Sequence, residues 1–317
     1  MEEIRLDEYT MDTPHIPEEM FLKIGSEEKK TDEIKRVSRS YLQDAWLRFK
    51  KDKLAILGLI VITIMTLMAV FGPMISPYTY DGQDIMMQHQ APSLKYLFGT
   101  DKFGRDIFVR TLYGARISLS IGFAAALINL VIGIIYGGIS GYFGGRVDMI
   151  MMRIVDIITG VPSLLYIILI MMYLGNSVTS ILIALCMTYW IRTARMVRSQ
   201  ILTLKHQEFV MAAKIIGESD LSILRKHLIP NSMGPIIVTV TFLIPQAIFS
   251  EAFLSFLGIG IQVPMASWGT LANDAIPALF TQPYQMFFPA MAISITIFAL
   301  NFIGDGLRDA LDPKLRK

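Results

Sequence analysis

KHQEFVMAAKIIGESDLSILRKHLIPN, residues 205–231, is a polar and charged segment that lies between two long apolar runs. Helix-forming residues extend from Gln207 to Ile216, and Gly217 follows them as the residue after a helix C terminus often does. The segment therefore predicts two short helices separated by a turn at Gly217.

The second of these helices has its own start, apolar face and end. Ser219 or Asp220 can cap it, and Pro230 is expected to end it. Three leucines recur at helical spacing on one face: Leu221, Leu224 and Leu228. A short helix in a loop has no core of its own to bury such a face. We therefore expect the leucine face to lie on a bilayer or to dock into another protein.

The composition of the chain is that of a membrane protein. Of 317 residues, 53% are hydrophobic and 18% are charged, and the mean hydropathy is +0.49. The one cysteine, Cys186, excludes a disulfide within the chain, and the scattered histidines lack metal-ligand spacing. A net charge of +2 gives no indication of nucleic-acid binding. Because no GxxxxGK[ST] motif occurs, any ATP would have to be bound by another chain.

The apolar runs predict an all-α membrane protein with about six transmembrane helices. The expected spans are residues 54–75 and, approximately, 115–140, 149–173, 178–195, 234–258 and 285–305. The expected organisation is a cytoplasmic polar tail (1–39), an interfacial amphipathic helix (40–53), a first transmembrane helix (54–75), an extracytoplasmic loop (76–113), a permease core (114–305) that includes the 205–231 segment, and a cytoplasmic C-terminal tail (306–317). In the interfacial helix Leu42, Ala45, Trp46 and Phe49 share one face, with basic residues beside it.

The distribution of lysine and arginine predicts the orientation of the spans. These residues are dense before residue 54, between Arg192 and Lys226, and after Arg308, and they are absent from 174–177 and 259–284. The 76–112 loop, which contains four of them, runs against this trend. With six spans, both termini and the 205–231 segment are expected on the cytoplasmic side.

Glycine residues within the spans predict close helix packing, and proline residues predict bends. Gly133, Gly137 and Gly141 leave one face of the second span almost without side chains, which favours close helix packing in lipid. A flexible helix end is the alternative for Gly141. Pro162 and Pro245 each free a backbone carbonyl and indicate a bend.

Polar residues within the spans are candidates for function, because ionisable groups in a membrane are costly unless paired or wet. Arg153 and Asp156 are expected to form an ion pair with each other, three residues apart. Four residues are candidates for lining a pathway, with helix packing as the alternative: Glu251, Gln246, Asn129 and Asn301.

The outer loops contain charged and aromatic residues that are interpreted structurally. Arg105, between Asp101 and Asp106, is expected to hold the turn by ion pairing, and Arg116 to reach the lipid headgroups. Trp268 is expected in a loop at the outer membrane interface, where tryptophan is favoured.

The 205–231 segment resembles the EAA loop of ABC importer permeases. The matching residues are Ala212, Ala213, Gly217, Ile223 and Pro230. The general motif has Glu directly before the alanines, where this chain has Met211; the nearest acid is Glu208. The EFVxAA form resembles the dipeptide, oligopeptide and nickel branch. Further blocks resemble C-type subunits of peptide importers, at residues 98–122, 144–165, 255–269 and 301–316.

This resemblance implies a type I ABC importer permease fold and a transporter subunit that is not itself an enzyme. It implies that the chain forms half of the translocation pathway through which oligopeptides or dipeptides cross the plasma or inner membrane. The implied partners are a homologous second permease, two cytoplasmic ATPases that bind ATP and Mg²⁺, and an extracytoplasmic substrate-binding protein. The implied ATPase-binding residues of the 205–231 segment are Glu208, Ala212, Ala213, Gly217, Ser219, Leu221, Leu224 and Pro230.

Three alternatives remain open at this stage. The same architecture imports nickel chelates or other small solutes in similar proteins. An intramembrane enzyme would need paired acids, an HExxH motif or a Ser/Lys dyad at span depth, and the sequence offers none. A channel or passive scaffold would not need an amphipathic docking segment on the cytoplasmic side.

Overall fold

The computed structural model describes residue 17, residues 41–262 and residues 264–312, and these contain helices and turns with one isolated β-bridge, between Thr100 and Asp106. The predicted tail 1–39 falls, apart from residue 17, outside the described residues, as do residues 313–317 of the C-terminal tail. The helices are α1 (Tyr41–Phe49), α2 (Lys53–Ile75), α3 (Ile107–Phe143), α4 (Gly145–Thr159), α5 (Ser163–Leu174), α6 (Val178–Thr188), α7 (Trp190–Leu204), α8 (Glu208–Ile215), α9 (Asp220–Ile223), α10 (Ile229–Phe256), α11 (Trp268–Ala275) and α12 (Tyr284–Leu311).

The described residues contain five helices, or six spans with one bent pair, that are long and apolar enough to cross a membrane. The continuous ones are Lys53–Ile75, Ile107–Phe143, Val178–Leu204, Asp220–Phe256 and Tyr284–Leu311. The third predicted span is broken, because α4 and α5 meet at 77°. Pro162 lies at this break, where it lacks an N–H and restricts the residue before it. The bend expected at Pro162 is therefore confirmed.

The glycine face of α3 packs against α7, as the spacing predicted. A Cβ added at Gly133 would lie 2.5 Å from Thr193 Cβ, and one at Gly141 would lie 2.9 Å from the Arg198 carbonyl oxygen. At Gly137 the obstacle is the carbonyl group of Ala194. The two backbones approach this closely only because glycine has no side chain. The packing interpretation holds for Gly141 as well.

Arg116 donates to two backbone carbonyls of α2 while its side chain remains exposed, and its predicted reach to the lipid headgroups stays a prediction. Its Nε donates to the Ala69 carbonyl at 3.2 Å and its Nη2 to the Val70 carbonyl at 2.9 Å. Pro73 lies inside α2 and has no N–H to donate to Ala69, four residues earlier. Arg116 therefore supplies the donor that Pro73 removes.

The short helix α1 packs partly on its own chain. Ala45 and Phe49 are buried, and Phe49 lies in a cluster with Ala55 and with Ala310 near the C-terminal end of α12. Trp46, on the predicted apolar face, remains about half exposed. Asp52 caps the following helix by accepting from the backbone N–H of Leu54 at 2.9 Å.

A buried charge cluster closes the loop before α3. Arg105 Nε lies 2.6 Å from Asp101 Oδ2, as predicted, but its second carboxylate is Asp274 of α11, at 3.2 Å. Asp106 instead caps α3, accepting from the Val109 N–H at 2.7 Å, and this starts the helix earlier than expected. Arg110 approaches both acids, at 3.8 Å from Asp101 and 3.5 Å from Asp274.

Trp268 is a core residue, which corrects its predicted place at the membrane interface. It begins α11, is 0% exposed, and its Nε1 donates to the Thr111 carbonyl at 3.0 Å. The absence of a side chain at Gly114 leaves room for the backbone N and indole ring of Trp268. Because its N–H finds a carbonyl inside the protein, the indole does not need the headgroup region.

Candidate functional site

The 205–231 segment forms a helical hairpin, as predicted. Its first helix is α8, and Gly217 then adopts φ +82°, a conformation that glycine reaches without strain. Ser219 precedes α9 as its cap residue, although its side chain accepts no capping hydrogen bond. We call the exposed residues Phe209, Met211, Ile215, Ile216 and Leu221 the hairpin tip.

One face of this hairpin is buried against the chain's own spans. Val210 and Ala213 of α8 lie in one cluster with Val197 and Ile201 of α7. Leu224 and Leu228 are buried in the same cluster, together with Ile223 and with Tyr142 from the C-terminal end of α3. The predicted docking face formed by the three leucines is therefore wrong for these two residues, which are covered by α3 and α7.

The opposite face leaves large apolar side chains uncovered in this chain. Ile215 is 85% exposed, Ile216 81% and Leu221 74%. Glu208, Ala212, Gly217, Ser219 and Pro230 are also exposed or partly so, while Ala213 is buried. Contiguous apolar surface next to charged residues marks a place where another surface binds.

Pro230 does not end the second helix, which corrects another prediction. The chain runs as one long helix from Asp220 to Phe256, through a π-helical turn at Leu224–Leu228. The Ile229 N–H donates to the Leu224 carbonyl, one residue further back than in an α-helix. This wider turn accommodates a residue that lacks an N–H and whose ring crowds the preceding turn. The hairpin is thus joined rigidly to a membrane span.

Polar contacts fix the turn of the hairpin. Glu218 accepts from Ser222 Oγ at 2.5 Å, and His227 Nε2 lies 2.8 Å from its other oxygen. These two hydrogen bonds, first that of Ser222, lower the pKa of the Glu218 carboxyl below its ordinary value. Tyr142 OH donates to Asp220 Oδ1 at 2.5 Å, which joins α9 to the C-terminal end of α3.

The four pathway candidates occupy different environments. Glu251 is fully buried and accepts from Ser118 Oγ and Ser255 Oγ, each at 2.8 Å. Asn129 is fully buried and donates to the Ala125 carbonyl, and Asn301 is half-buried on α12. Gln246 is the exposed member of the four, on α10. Each of the four assignments to a pathway stays a prediction.

Gln246 lies on the wall of a polar cavity of about 400 Å³, at the break between α4 and α5. The other lining residues are Thr159, Ser163, Thr188, Tyr189, Ile191, Arg192, Arg195 and Leu243. Tyr189 OH and Ser250 Oγ lie 2.5 Å apart and join the α6–α7 junction to α10. The arrangement can solvate polar groups between spans that are otherwise apolar.

The ion pair predicted between Arg153 and Asp156 is wrong. Asp156 binds Arg195 of α7, whose Nη2 lies 2.9 Å from Asp156 Oδ1. The same nitrogen lies 3.2 Å from Thr159 Oγ1. Asp156 pairs with another helix rather than with a residue three positions away because α4 packs against α7, with Val155 in one buried cluster with Ile191 and Ala194.

Sequence analysis missed Arg192, Thr188 and Tyr189 as cavity residues. Arg192 fell inside the predicted span 178–195 but was used only as one of the basic residues that set the orientation, and the helix continues past it to Leu204. The available signal was an arginine within a predicted span, which marks a hydrated or paired site.

In the part of the chain that the structure describes, no group of three or more His, Cys, Asp or Glu side chains could hold a metal ion. Asp148 instead binds Arg198, and Asp101 and Asp274 bind Arg105 and Arg110. The site is therefore described by its apolar tip and its polar cavity.

Comparisons with known proteins agree with this architecture. Residues 129–317 match the model of the family "Binding-protein-dependent transport system inner membrane component", and residues 40–92 match "N-terminal TM domain of oligopeptide transport permease C". The oligopeptide transport system permease protein OppC of Bacillus subtilis is 52% identical over 96% of this chain and 99% of its own length. The dipeptide transport system permease protein DppC of that organism is 50% identical over 95% of each chain.

More distant similarities are consistent with these. OppC of Escherichia coli K12 is 42% identical over 90% of this chain and 95% of its own length. A chain of the MetNI methionine ABC transporter, solved in inward-facing conformations, superposes with a TM-score of 0.53 at 15% identity. That superposition covers 64% of this chain and 96% of the other, and at such low identity it shows a shared fold alone.

Proposed function

Because the chain belongs to the family of binding-protein-dependent transport system inner membrane components, we propose that it forms half of the pathway through which an ATP-driven importer carries oligopeptides or dipeptides. The substrate class rests on relatives named as oligopeptide and dipeptide transport permeases, which match the chain over nearly its whole length. The proposed location is the inner (plasma) membrane, with both termini and the 205–231 hairpin on the cytoplasmic side.

A permease of this kind works with a second permease, ATPases and a substrate-binding protein. We propose that the second permease is homologous to this chain, and that each of two cytoplasmic ATPases binds ATP and Mg²⁺. The observation that carries the proposed docking site is the hairpin tip, where Ile215, Ile216 and Leu221 are more than two-thirds exposed. Covering one such side chain contributes roughly 1.5–3 kcal/mol, so a few of them account for stable docking.

The structure offers a mechanical route from this tip to the spans. Leu224 and Leu228 anchor the hairpin to α3 and α7, and the long helix beginning at Asp220 continues into α10. Displacement of the tip when the ATPases close would move α10 and α7 together. Both helices line the polar cavity, through Gln246 and Arg192, so the displacement would change the access of that cavity.

The test is a crosslink in the assembled importer. In a Cys186→Ser background, we expect the Ile216→Cys variant to crosslink to the ATPase and to retain peptide uptake. Met86→Cys, 87% exposed in the loop before α3, is the matched control and should give no ATPase crosslink. A fully active importer with no crosslink at position 216, or with the ATPase crosslinked at position 86, would contradict the proposal.

A substitution tests the energetic side of the same contact. We expect Ile216→Ser to weaken ATPase binding about tenfold or more, since the lost burial is roughly 1.5–3 kcal/mol. The folded chain should remain as abundant in the membrane, because Ile216 is mostly exposed. Equal ATPase binding by the Ile216→Ser variant and the parent would remove the tip from the interface.

A further inference from the structure

The wall of the polar cavity contains an arginine for which the described part of the chain provides no counter-charge. Arg192 lies on the first turn of α7, and its side chain is exposed towards the cavity. Its Nη1 lies 3.5 Å from Gln246 Oε1, a long contact with a neutral group. Among the described residues, no carboxylate forms a salt bridge with Arg192.

The neighbouring arginine has a different environment. Arg195, one turn further along α7, is paired with Asp156 at 2.9 Å. The positive charge of Arg195 is therefore balanced within the chain, while that of Arg192 is not. The cavity wall as described carries one positive charge in excess.

The position of Arg192 within its span makes this unbalanced charge informative. The span Val178–Leu204 contains 27 residues, and Arg192 lies 14 residues after its start, where the apolar helix α6 gives way to the more polar α7. A charged side chain within a span is costly unless it is hydrated or paired, and such residues mark substrate pathways. The cavity provides the water-accessible space.

A second polar group of the cavity, the Thr188 hydroxyl, lacks a hydrogen-bond partner in the described parts of the sequence. Thr188 Oγ1 is a buried atom without a hydrogen bond in the described chain, and Thr188 lines the cavity beside Arg192. The Tyr189–Ser250 hydrogen bond holds the wall in place between α10 and the α6–α7 junction. A guanidinium presents five N–H donors in a planar fork, which matches the two oxygens of a carboxylate.

Resting on the proposed function, in which the substrate is a peptide, we infer that Arg192 binds the C-terminal carboxylate of the peptide during its passage. Gln246 and Thr188 offer further hydrogen-bonding groups to the same end of the peptide. A carboxylate is the chemistry that the fork recognises, and a free peptide always carries one. The other source of a carboxylate is an acidic side chain of the second permease, which the test below separates from the substrate.

The experiment compares uptake of one tripeptide with a free C terminus and the same tripeptide with an amidated C terminus, in the complete importer. For the parent we expect faster uptake of the free peptide. Arg192→Gln should lower the ratio of free to amidated uptake about tenfold, mainly by slowing the free peptide, and Arg192→Lys should restore part of it. Arg153→Gln, at an exposed arginine of α4 that does not line the cavity, is the matched control and should leave the ratio unchanged.

A second measurement does not depend on delivery by the binding protein. Purified importer without binding protein is photolabelled with the tripeptide carrying a photoreactive C-terminal residue, and labelled sites are mapped by mass spectrometry. We expect the free form to label residues 186–198 about tenfold more than the amidated form, and Arg192→Gln to abolish this difference.

The outcomes separate the inference from the proposed function. If Arg192→Gln slows both peptides equally, or Arg153→Gln changes the ratio as much, then the effect does not come from a contact between Arg192 and the peptide carboxylate, and the inference is overturned. Equal labelling by the free and amidated forms in the parent overturns it as well. If the parent importer takes up neither peptide and is labelled by neither, the proposed substrate class itself fails.

Discussion

Two adjacent glycines in α3 allow the packing of α3 on α7 to be tested with a built-in control. A Cβ added at Gly137 would lie 2.9 Å from Val197 Cβ and 3.0 Å from the Ala194 carbonyl carbon, whereas one at Gly138 would lie no nearer than 3.7 Å to any atom outside its own helix turn. Optimal carbon–carbon separations are about 3.5–4.0 Å. Gly137→Ala must therefore push α3 and α7 apart, while Gly138→Ala fits in the existing space.

The magnitude follows from comparing the two variants. Each gains roughly 1 kcal/mol from the better helix propensity of alanine, and this gain cancels in the difference between them. Overpacking costs about 1–3 kcal/mol, so Gly137→Ala should be less stable than Gly138→Ala by about that amount. Since α7 carries Arg192 and Arg195, the same displacement should also lower transport by the Gly137→Ala variant.

The assay is the apparent melting temperature of the purified importer, measured for both variants and the parent at equal detergent and lipid content. We expect Gly137→Ala to melt roughly 2–10 °C below Gly138→Ala. Identical melting temperatures, or a lower value for Gly138→Ala, would show that the glycine face does not hold the two helices together and would refute the reasoning.

Two further predictions concern polar contacts. Arg116→Leu should destabilise the protein by about 1–3 kcal/mol, because the Ala69 carbonyl loses its hydrogen-bond donor. In a Pro73→Ala background the same substitution should cost clearly less, because the alanine supplies the helical N–H that proline lacks. Thermal stabilities of the two single variants and the double variant test this, and additive effects would contradict it. The Glu218 carboxyl has a lowered pKa, so its contribution to the hairpin is complete above its ordinary pKa and is lost as the pH falls through the lowered one. Ser222→Ala should move this loss to higher pH, as measured by hydrogen exchange of the hairpin amides, and an unchanged pH profile would count against the Ser222 hydrogen bond.

Much of the architecture could be predicted because it depends on local patterns. The apolar runs gave the spans, the spacing of Gly133, Gly137 and Gly141 gave a packing face, and Gly217 gave the turn of the hairpin. Each of these features is a property of one segment. Periodicity and backbone freedom are visible in a single sequence, and neighbouring helices only have to accommodate them.

The wrong predictions concern tertiary contacts, that is, which residue of another helix a side chain packs against or binds. Leu224 and Leu228 form a regular apolar face, but the sequence does not state that α3 and α7 extend far enough to cover it. At about 1.5 Å per residue, the 37 residues of α3 span roughly 55 Å, well beyond the ~30 Å of hydrocarbon, so Tyr142 reaches the hairpin. Trp268 was misplaced for a similar reason, because its partner, the Thr111 carbonyl, is distant in sequence. The contact of Arg116 with the Ala69 carbonyl was missed for the same reason.

The covering of Leu224 and Leu228 changes how the hairpin can work. If Leu221, Leu224 and Leu228 were all exposed, the second helix of the hairpin could rotate on a bound ATPase without moving the membrane spans. With those two buried against α3 and α7, and with α9 continuous into α10 through the π-helical turn, the tip cannot shift without moving these helices. Gln246 lies 25 residues after Leu221, roughly 37 Å along that helix at about 1.5 Å per residue, and Pro245 beside it permits a bend at the cavity wall. A small rotation at the tip would therefore reach the cavity wall that Gln246 and Arg192 share, which is where the proposed pathway would have to open and close.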